Sequence, residues 1–259
     1  MVDPIAVQLY TLRNLLERDF VGTLQRVAAV GYRAVELYSY GGLSPQDLRK
    51  RLDDLGLRAV SAHVLLARLE QDLGNVLEEA HTIGLDYIVC PWLPPERRRT
   101  PDDYDRLADL LDRVGETAAQ AGVQLAYHNH DFEFARLGET VALDRLLTRT
   151  RPDRVQAELD LFWIHQAGCN PVDYIQRYAG RLHLLHVKDV HASDGSFAEV
   201  GQGVLPWREL LSTARAAGVR WYIVEQDVCP RDPIASIEAS LTFLRKQFSQ
   251  FQDEHPIGT

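Results

Sequence analysis

The sequence has 259 residues, with 28 Lys and Arg against 37 Asp and Glu, and a formal charge of −9. That acidic balance, with no basic run longer than Arg97-Arg98-Arg99, lacks the phosphate-neutralising patch that nucleic-acid binding requires, so nucleic acid is excluded from the expected partners. At 46% hydrophobic and 25% charged residues the composition is that of an ordinary globular protein, and no apolar stretch approaches the ~20 residues of a membrane span.

The opening residues, Met1-Val2-Asp3-Pro4-Ile5-Ala6, have neither the basic nor the apolar region of a secretory signal. A cytoplasmic location without a membrane partner is therefore expected. Cys90, Cys169 and Cys229 are too few for a disulfide framework and read as reduced thiols.

Along the chain one phrase recurs: a glycine, a polar residue, then a β-branched or apolar run closing on a polar residue. After the opening Ile5-Ala6-Val7-Gln8-Leu9-Tyr10, it begins at Gly31, Gly56, Gly84 and Gly122. Variants without the glycine begin at Arg154 and Arg181, and the last copy begins at Gly218. Each near-continuous apolar run suits a strand buried on both faces, and a glycine before it suits the left-handed stop of a preceding helix. Between the runs, segments such as 20–30 and 104–114 space apolar residues three and four apart, and Ser44-Pro45 and Thr100-Pro101 read as helix N-caps followed by Pro at the first helical position.

Eight alternations of strand and helix predict an α/β fold, a single (β/α)8 TIM barrel. No Gly-x-Gly-x-x-Gly follows any run, which disfavours a doubly wound sheet. One domain is expected over 1–248, with 249–259 a loose C-terminal tail.

The runs end at Tyr10, Glu36, His63, Cys90, His128, Asp160, His186 and Glu225. In this fold the C-terminal ends of the strands carry the active site. A buried cluster of imidazoles and carboxylates calls for a compensating cation, so Asp160, His186 and Glu225, on consecutive strands, are candidate ligands of one divalent ion. A fourth ligand is available at His128 or, in the loop that follows, at Glu133. Such a donor set suits Mn2+ first, with Mg2+, Co2+ or Zn2+ as alternatives. His130 and Lys188, each two residues beyond a strand-end histidine, point to the same side of an extended backbone and are the catalytic candidates. His63, His128, Trp92 and Trp163 are candidate substrate-binding residues, the tryptophans offering apolar faces to substrate C–H groups.

The segments 127–134 (Tyr-His-Asn-His-Asp-Phe-Glu-Phe), 159–163 (Leu-Asp-Leu-Phe-Trp), 186–189 (His-Val-Lys-Asp), 224–227 (Val-Glu-Gln-Asp) and the Gly201-Gln202-Gly203 to Trp207 loop resemble signatures of the sugar phosphate isomerase/epimerase family of xylose isomerase-like barrels. The resemblance covers nearly the whole chain. It implies one divalent ion held by Glu, Asp, His and Glu, of which Asp160, His186 and Glu225 match directly. Where the epimerase branch carries a ligand Glu at the end of its fifth strand, this chain has His128. The His-x-His followed by a loop Glu resembles instead the inosose dehydratase-like, keto-sugar branch, which favours Glu133 as ligand and His130 as proton carrier. A homodimer is a further expectation from the family.

The expected function is a metal-dependent sugar or polyol isomerase or epimerase that abstracts a proton next to a carbonyl through a metal-stabilised enediolate. The alternative is an inosose or keto-sugar dehydratase (a lyase) using the same site. Two rivals weigh less: an endonuclease IV-like repair enzyme, which the charge opposes, and a non-catalytic sugar-binding barrel.

Overall fold

The computed structural model describes residues 4–254. Eight parallel strands close into a barrel: β1 (Ile5–Gln8), β2 (Ala34–Leu37), β3 (Arg58–His63), β4 (Tyr87–Cys90), β5 (Gln124–His128), β6 (Val155–Asp160), β7 (Leu182–Val187) and β8 (Trp221–Val224). Neighbours in sequence are neighbours in the sheet, and β1 pairs with β8 to complete the ring. The strands end at or within one residue of the end of the repeated phrase, except that β1 stops at Gln8 and Tyr10 lies in a 3-10 turn over Leu9–Leu12.

Eight main helices pack outside: α1 (Phe20–Val30), α2 (Pro45–Asp54), α3 (Leu73–Ile83), α4 (Pro101–Gln120), α5 (Ala142–Arg149), α6 (Pro171–Arg177), α7 (Trp207–Ala217) and α8 (Pro233–Glu254). The expected starts hold: Ser44 caps α2 through Asp47 N, and Thr100 forms a reciprocal capping box with Asp103 at the head of α4. Both helices carry Pro in the first turn, where a missing N–H costs nothing. Gly31, Gly84 and Gly218 end α1, α3 and α7 in the left-handed conformation, with φ of 115°, 83° and 93°. The expectation of a loose tail from Ser249 is corrected as far as Glu254. There α8 continues, because Phe251 still finds a buried site to fill. Residues 255–259 lie outside the described residues.

Side chains alternate along each strand between the helix layer and the barrel interior. The inner floor is apolar: Ala6, Ala34, Tyr87, Val89, Ala126, Leu184, Trp221 and Ile223 form a cluster of their own, separate from the main core between strands and helices. Two residues further along, the same faces turn polar. Gln8, Glu36, His128, His186 and Glu225 follow Ala6, Ala34, Ala126, Leu184 and Ile223. Register then sets neighbours side by side: Gln8 beside Glu36, Glu36 beside Ser61, His128 beside Glu158 and Asp160 beside His186. The barrel thus carries a polar layer directly on an apolar plug.

Candidate metal centre at the barrel mouth

Asp160 closes β6 and caps the short helix that follows, its Oδ1 accepting from Trp163 N at 3.1 Å. That leaves Oδ2 for the interior, where it makes no hydrogen bond although the Lys188 ammonium lies 2.8 Å away. The strand end is held in place by Asn129, whose side-chain oxygen accepts from Asp160 N at 3.0 Å. His186, from β7, reaches two carboxylates at once, with Nδ1 2.8 Å from Glu225 Oε2 and Nε2 2.7 Å from Glu36 Oε1. Ligand atoms of His128, Asp160, His186 and Glu225 all lie within 4.8 Å of one another. A second group with the same spread joins His63, His128, Glu158 and His186.

The structure therefore brings together three of the four expected ligands, Asp160, His186 and Glu225, with His128, the alternative to Glu133, beside them. Glu133 is not brought into either group. Its carboxylate is buried and turned back on its own loop, accepting from the Tyr127 hydroxyl at 2.5 Å and from His130 N at 2.8 Å. Burial pushes its pKa up to about 8 against those two donors. The five-residue reach expected for the loop is spent in a 3-10 turn, Phe132–Phe134, that folds Glu133 beneath the rim.

Lys188 is almost wholly buried, with Nζ 2.8 Å from Asp160 Oδ2, 2.7 Å from Glu225 Oε2 and 2.9 Å from Asp227 Oδ2. Its neighbour Asp189 faces elsewhere and is no partner: it accepts from Gly201 N, Gly203 N, Leu205 N and the Trp207 indole, pinning the loop after β7. His130 lines the cavity, stacks on Phe132 at 5.5 Å between ring centroids, and keeps a buried Nδ1 with no hydrogen-bond partner. Burial, aided by the Lys188 charge, lowers its pKa to about 3, so its imidazole is neutral.

A cavity of about 460 Å3 opens above this floor, lined on one side by His63, His128, His130, Lys188, Glu225 and Asp227, and at its mouth by apolar groups that include Tyr10, Tyr38, Leu65 and Trp92. Trp92, 40% exposed, stands where a substrate would meet it. Trp163 does not line the cavity; its ring lies behind His130, at 5.5 Å between centroids, and beside Phe162 and Phe197. His63 was expected to touch substrate and does line the cavity, but its Nε2 is also 3.0 Å from Glu36 Oε1 and 3.2 Å from Glu158 Oε2.

Glu158 and Gln8 were missed by the sequence reading. The signal for Glu158 was present, since it precedes Asp160 by two and so shares its inward face.

The electrostatics favour a cation. Glu36, Glu158, Asp160, Glu225 and Asp227 meet there. Burial opposes charge on His63 and His186, yet the surrounding carboxylates overcome it and raise both, His63 to about 10. Even with those two imidazoles and Lys188 charged, five acids leave a surplus of negative charge. Burial holds His128 well below its ordinary pKa, which leaves it a neutral donor suited to a metal. The buried Oε1 of Glu158 has no hydrogen-bond partner, and Asp160 Oδ2 is met by the Lys188 ammonium, so one carboxylate oxygen there is left for an additional cation. Two carboxylates and two imidazoles at hand fit Mn2+, Co2+ or Zn2+ in kind.

An eight-stranded barrel with a carboxylate-imidazole cluster at the C-terminal ends of its last four strands defines the class. The chain belongs to the xylose isomerase-like TIM barrel family, whose model matches residues 24–247. An inosose dehydratase of Geobacillus kaustophilus (strain HTA426) is 30% identical over 189 residues, 64% of this chain and 61% of that protein. The chain thus matches about three-fifths of that relative's length. A sugar phosphate isomerase/epimerase from Parabacteroides distasonis ATCC 8503 superposes with a TM-score of 0.81 at 27% identity, covering 93% of each chain. A structure of the IolI protein with a zinc atom bound superposes at 0.77 over 96% of this chain and 99% of the other, at 17% identity.

Proposed function

We propose that the chain is a metal-dependent enzyme that removes a proton from the carbon beside the carbonyl of a sugar or oxidised polyol, and isomerises or epimerises its substrate. The observation that carries this is the convergence of His128, Asp160, His186 and Glu225 beneath a cavity that also presents His130 and Lys188. These four residues would hold the ion, with Mn2+ assigned first from the carboxylate share of the donor set. The zinc in the IolI protein lies in a barrel of the same fold, a likeness of fold alone at this identity. A divalent ion bound there would supply fixed positive charge against which a carbonyl oxygen can gather negative charge as the adjacent C–H is broken.

The chain's own groups do the rest. His130, a neutral imidazole that lines the cavity, is the base that takes the proton. Lys188 presents an ammonium to a substrate oxygen, and Asp227 and Glu225 hold that ammonium in place. Tyr10, Tyr38 and Trp92 give apolar faces to C–H groups at the mouth and keep water from the floor.

A second reading keeps the same proton abstraction and ends it by expelling a β-hydroxyl, which makes the enzyme an inosose or keto-sugar dehydratase. It is favoured by the inosose dehydratase relative and by His128-Asn129-His130 at the end of β5. Metal analysis tests the common core of both readings. Purified protein is expected to carry one divalent ion per chain and Glu225→Ala to lose most of it; equal metal in both would contradict the site. Product analysis on keto-sugars and inososes then separates rearrangement from loss of water.

A further inference from the structure

Beneath the strand-end ring lie two carboxylates that the proposed chemistry does not use. Glu158 stands two residues before Asp160 on β6, Glu36 is the penultimate residue of β2, and both are completely buried. Each lies nearest one of the two imidazoles assigned to the ion, although Glu158 Oε2 is also 3.3 Å from His186 Nε2. Glu158 Oε2 is 3.0 Å from His128 Nδ1, and Glu36 Oε1 is 2.7 Å from His186 Nε2. The opposite nitrogens face the rim carboxylates, His128 Nε2 at 3.7 Å from Asp160 Oδ2 and His186 Nδ1 at 2.8 Å from Glu225 Oε2.

An imidazole that ligates a cation has one lone pair for it and one N–H to give away, and the acceptor of that N–H decides which nitrogen is left for the cation. We infer that Glu36 and Glu158 are positioning residues that fix the tautomers of the two ligand histidines. His128 then carries its proton on Nδ1 and binds through Nε2, while His186 carries its proton on Nε2 and binds through Nδ1. The two histidines use opposite nitrogens, a difference that strand-end position alone does not foretell. The inference rests on the proposed ion at His128, Asp160, His186 and Glu225.

Three features of the barrel support the role. Glu36 is held as an acceptor by Gln8 Nε2, a group that can only donate, at 2.7 Å on Oε1, and Ser61 Oγ lies 2.5 Å from Oε2. Register shifts interrupt the ladders at Val35/Glu36 and at Ala157/Glu158, the two positions where these carboxylates leave the strand. Such irregularities re-aim a side chain at some loss of ladder regularity, and they gather beside functional sites. Finally, His63 Nε2 sits 3.0 Å from Glu36 Oε1 and 3.2 Å from Glu158 Oε2, so one imidazole ties the two carboxylates to each other.

The same distances also place His63, His128, Glu158 and His186 within reach of a common point. An ion seated there would make Glu158 a ligand and reverse the tautomers, with His128 binding through Nδ1 and His186 through Nε2. Long-range 1H–15N correlation spectra of the zinc-loaded, histidine-labelled wild type distinguish the two arrangements directly. Expected are Nδ1–H on His128 and Nε2–H on His186. A second measurement is zinc affinity by chelator competition for wild type, Glu36→Gln and Glu158→Gln, each checked for folding by circular dichroism. Loss of the orienting carboxylate is expected to weaken zinc roughly 10–100-fold while leaving one site per chain.

Reversed tautomers, unchanged affinity in both folded variants, or a second ion that Glu158→Gln removes would each overturn the inference. Zinc bound with reversed tautomers sinks this inference alone. A wild type that takes up no ion sinks it together with the proposed function. If a variant fails to fold, the wild-type spectra still decide.

Discussion

Glu133 shows how one residue's surroundings decide its chemistry. Its carboxyl is buried under the rim with a pKa raised to about 8, against an ordinary value of 4.5. Between those two values the folded chain holds a proton that the unfolded chain has released. Stability from this group is therefore present at acid pH and lost as pH rises toward 8. Glu133→Gln keeps one oxygen to accept from His130 N and turns an NH2 to the Tyr127 hydroxyl, which can accept from it, but cannot ionise. Urea midpoints at pH 5 and pH 8 are expected to show the wild type losing ground to the variant as pH rises, and parallel midpoints would contradict that protonation.

At the proposed catalytic position, His130→Ala is expected to cost about 10²–10⁴-fold in rate with the metal retained. Loss of metal along with the rate would make His130 a ligand instead.

The residues legible in the sequence were those whose position follows from strand periodicity. Asp160, His186 and Glu225 were found because each closes an apolar run, and Lys188 because it stands two beyond His186. Glu133 was misplaced because a loop's path depends on partners, here Tyr127 Oη and His130 N, that no spacing rule supplies. Glu158 was missed for a different reason: its inward face follows from Asp160 two residues on, but its depth does not. Depth in a barrel depends on strand stagger, and the register shift at Ala157/Glu158 that aims it at the imidazoles leaves no mark in composition.

Among the elements, the loop after β7 has the most concentrated support. Five donors converge on Asp189 Oδ1 and Oδ2, from Val190, Gly201, Gly203, Leu205 and Trp207, the last at 2.6 Å. A Cβ at Gly203 would lie 2.2 Å from Asp189 Oδ1 and 2.4 Å from Val190 O, so any side chain at the second glycine of Gly201-Gln202-Gly203 would clash with this support. Asp189→Asn turns one acceptor into a donor among donors. It is expected to cost about 2–4 kcal/mol in urea unfolding. A change below ~0.5 kcal/mol, the range of ordinary surface substitutions, would show that the loop is held by other means.

Helix α4 offers a second test, since a Cβ at Gly115 would lie 2.3 Å from the backbone oxygen of Arg154 just before β6. Alanine normally strengthens a helix by ~1 kcal/mol over glycine. Gly115→Ala is expected to destabilise instead, by roughly 1–3 kcal/mol, because α4 must move off the barrel to admit the methyl group. A gain in Tm would contradict that close approach.

For the whole molecule, the arrangement of apolar plug, polar layer and open cavity makes folding and ion binding one linked system. An ion that binds only the folded barrel stabilises it by about 2.7 kcal/mol at a hundredfold excess over Kd, roughly 5–10 °C in Tm for a chain of this size. Chelation is expected to reverse the gain, and Asp160→Asn to show little of it.

Whether the centre does proton chemistry is decided most directly by deuterium exchange. Incubated in D2O with a panel of keto-sugars and inososes, the metal-loaded protein is expected to place deuterium on the carbon beside the carbonyl of at least one of them. Exchange should stop in the chelated protein and fall steeply in His130→Ala that still holds its metal. Exchange that persists unchanged in both preparations, or a metal-loaded wild type that exchanges none of the panel, would contradict proton abstraction at this site.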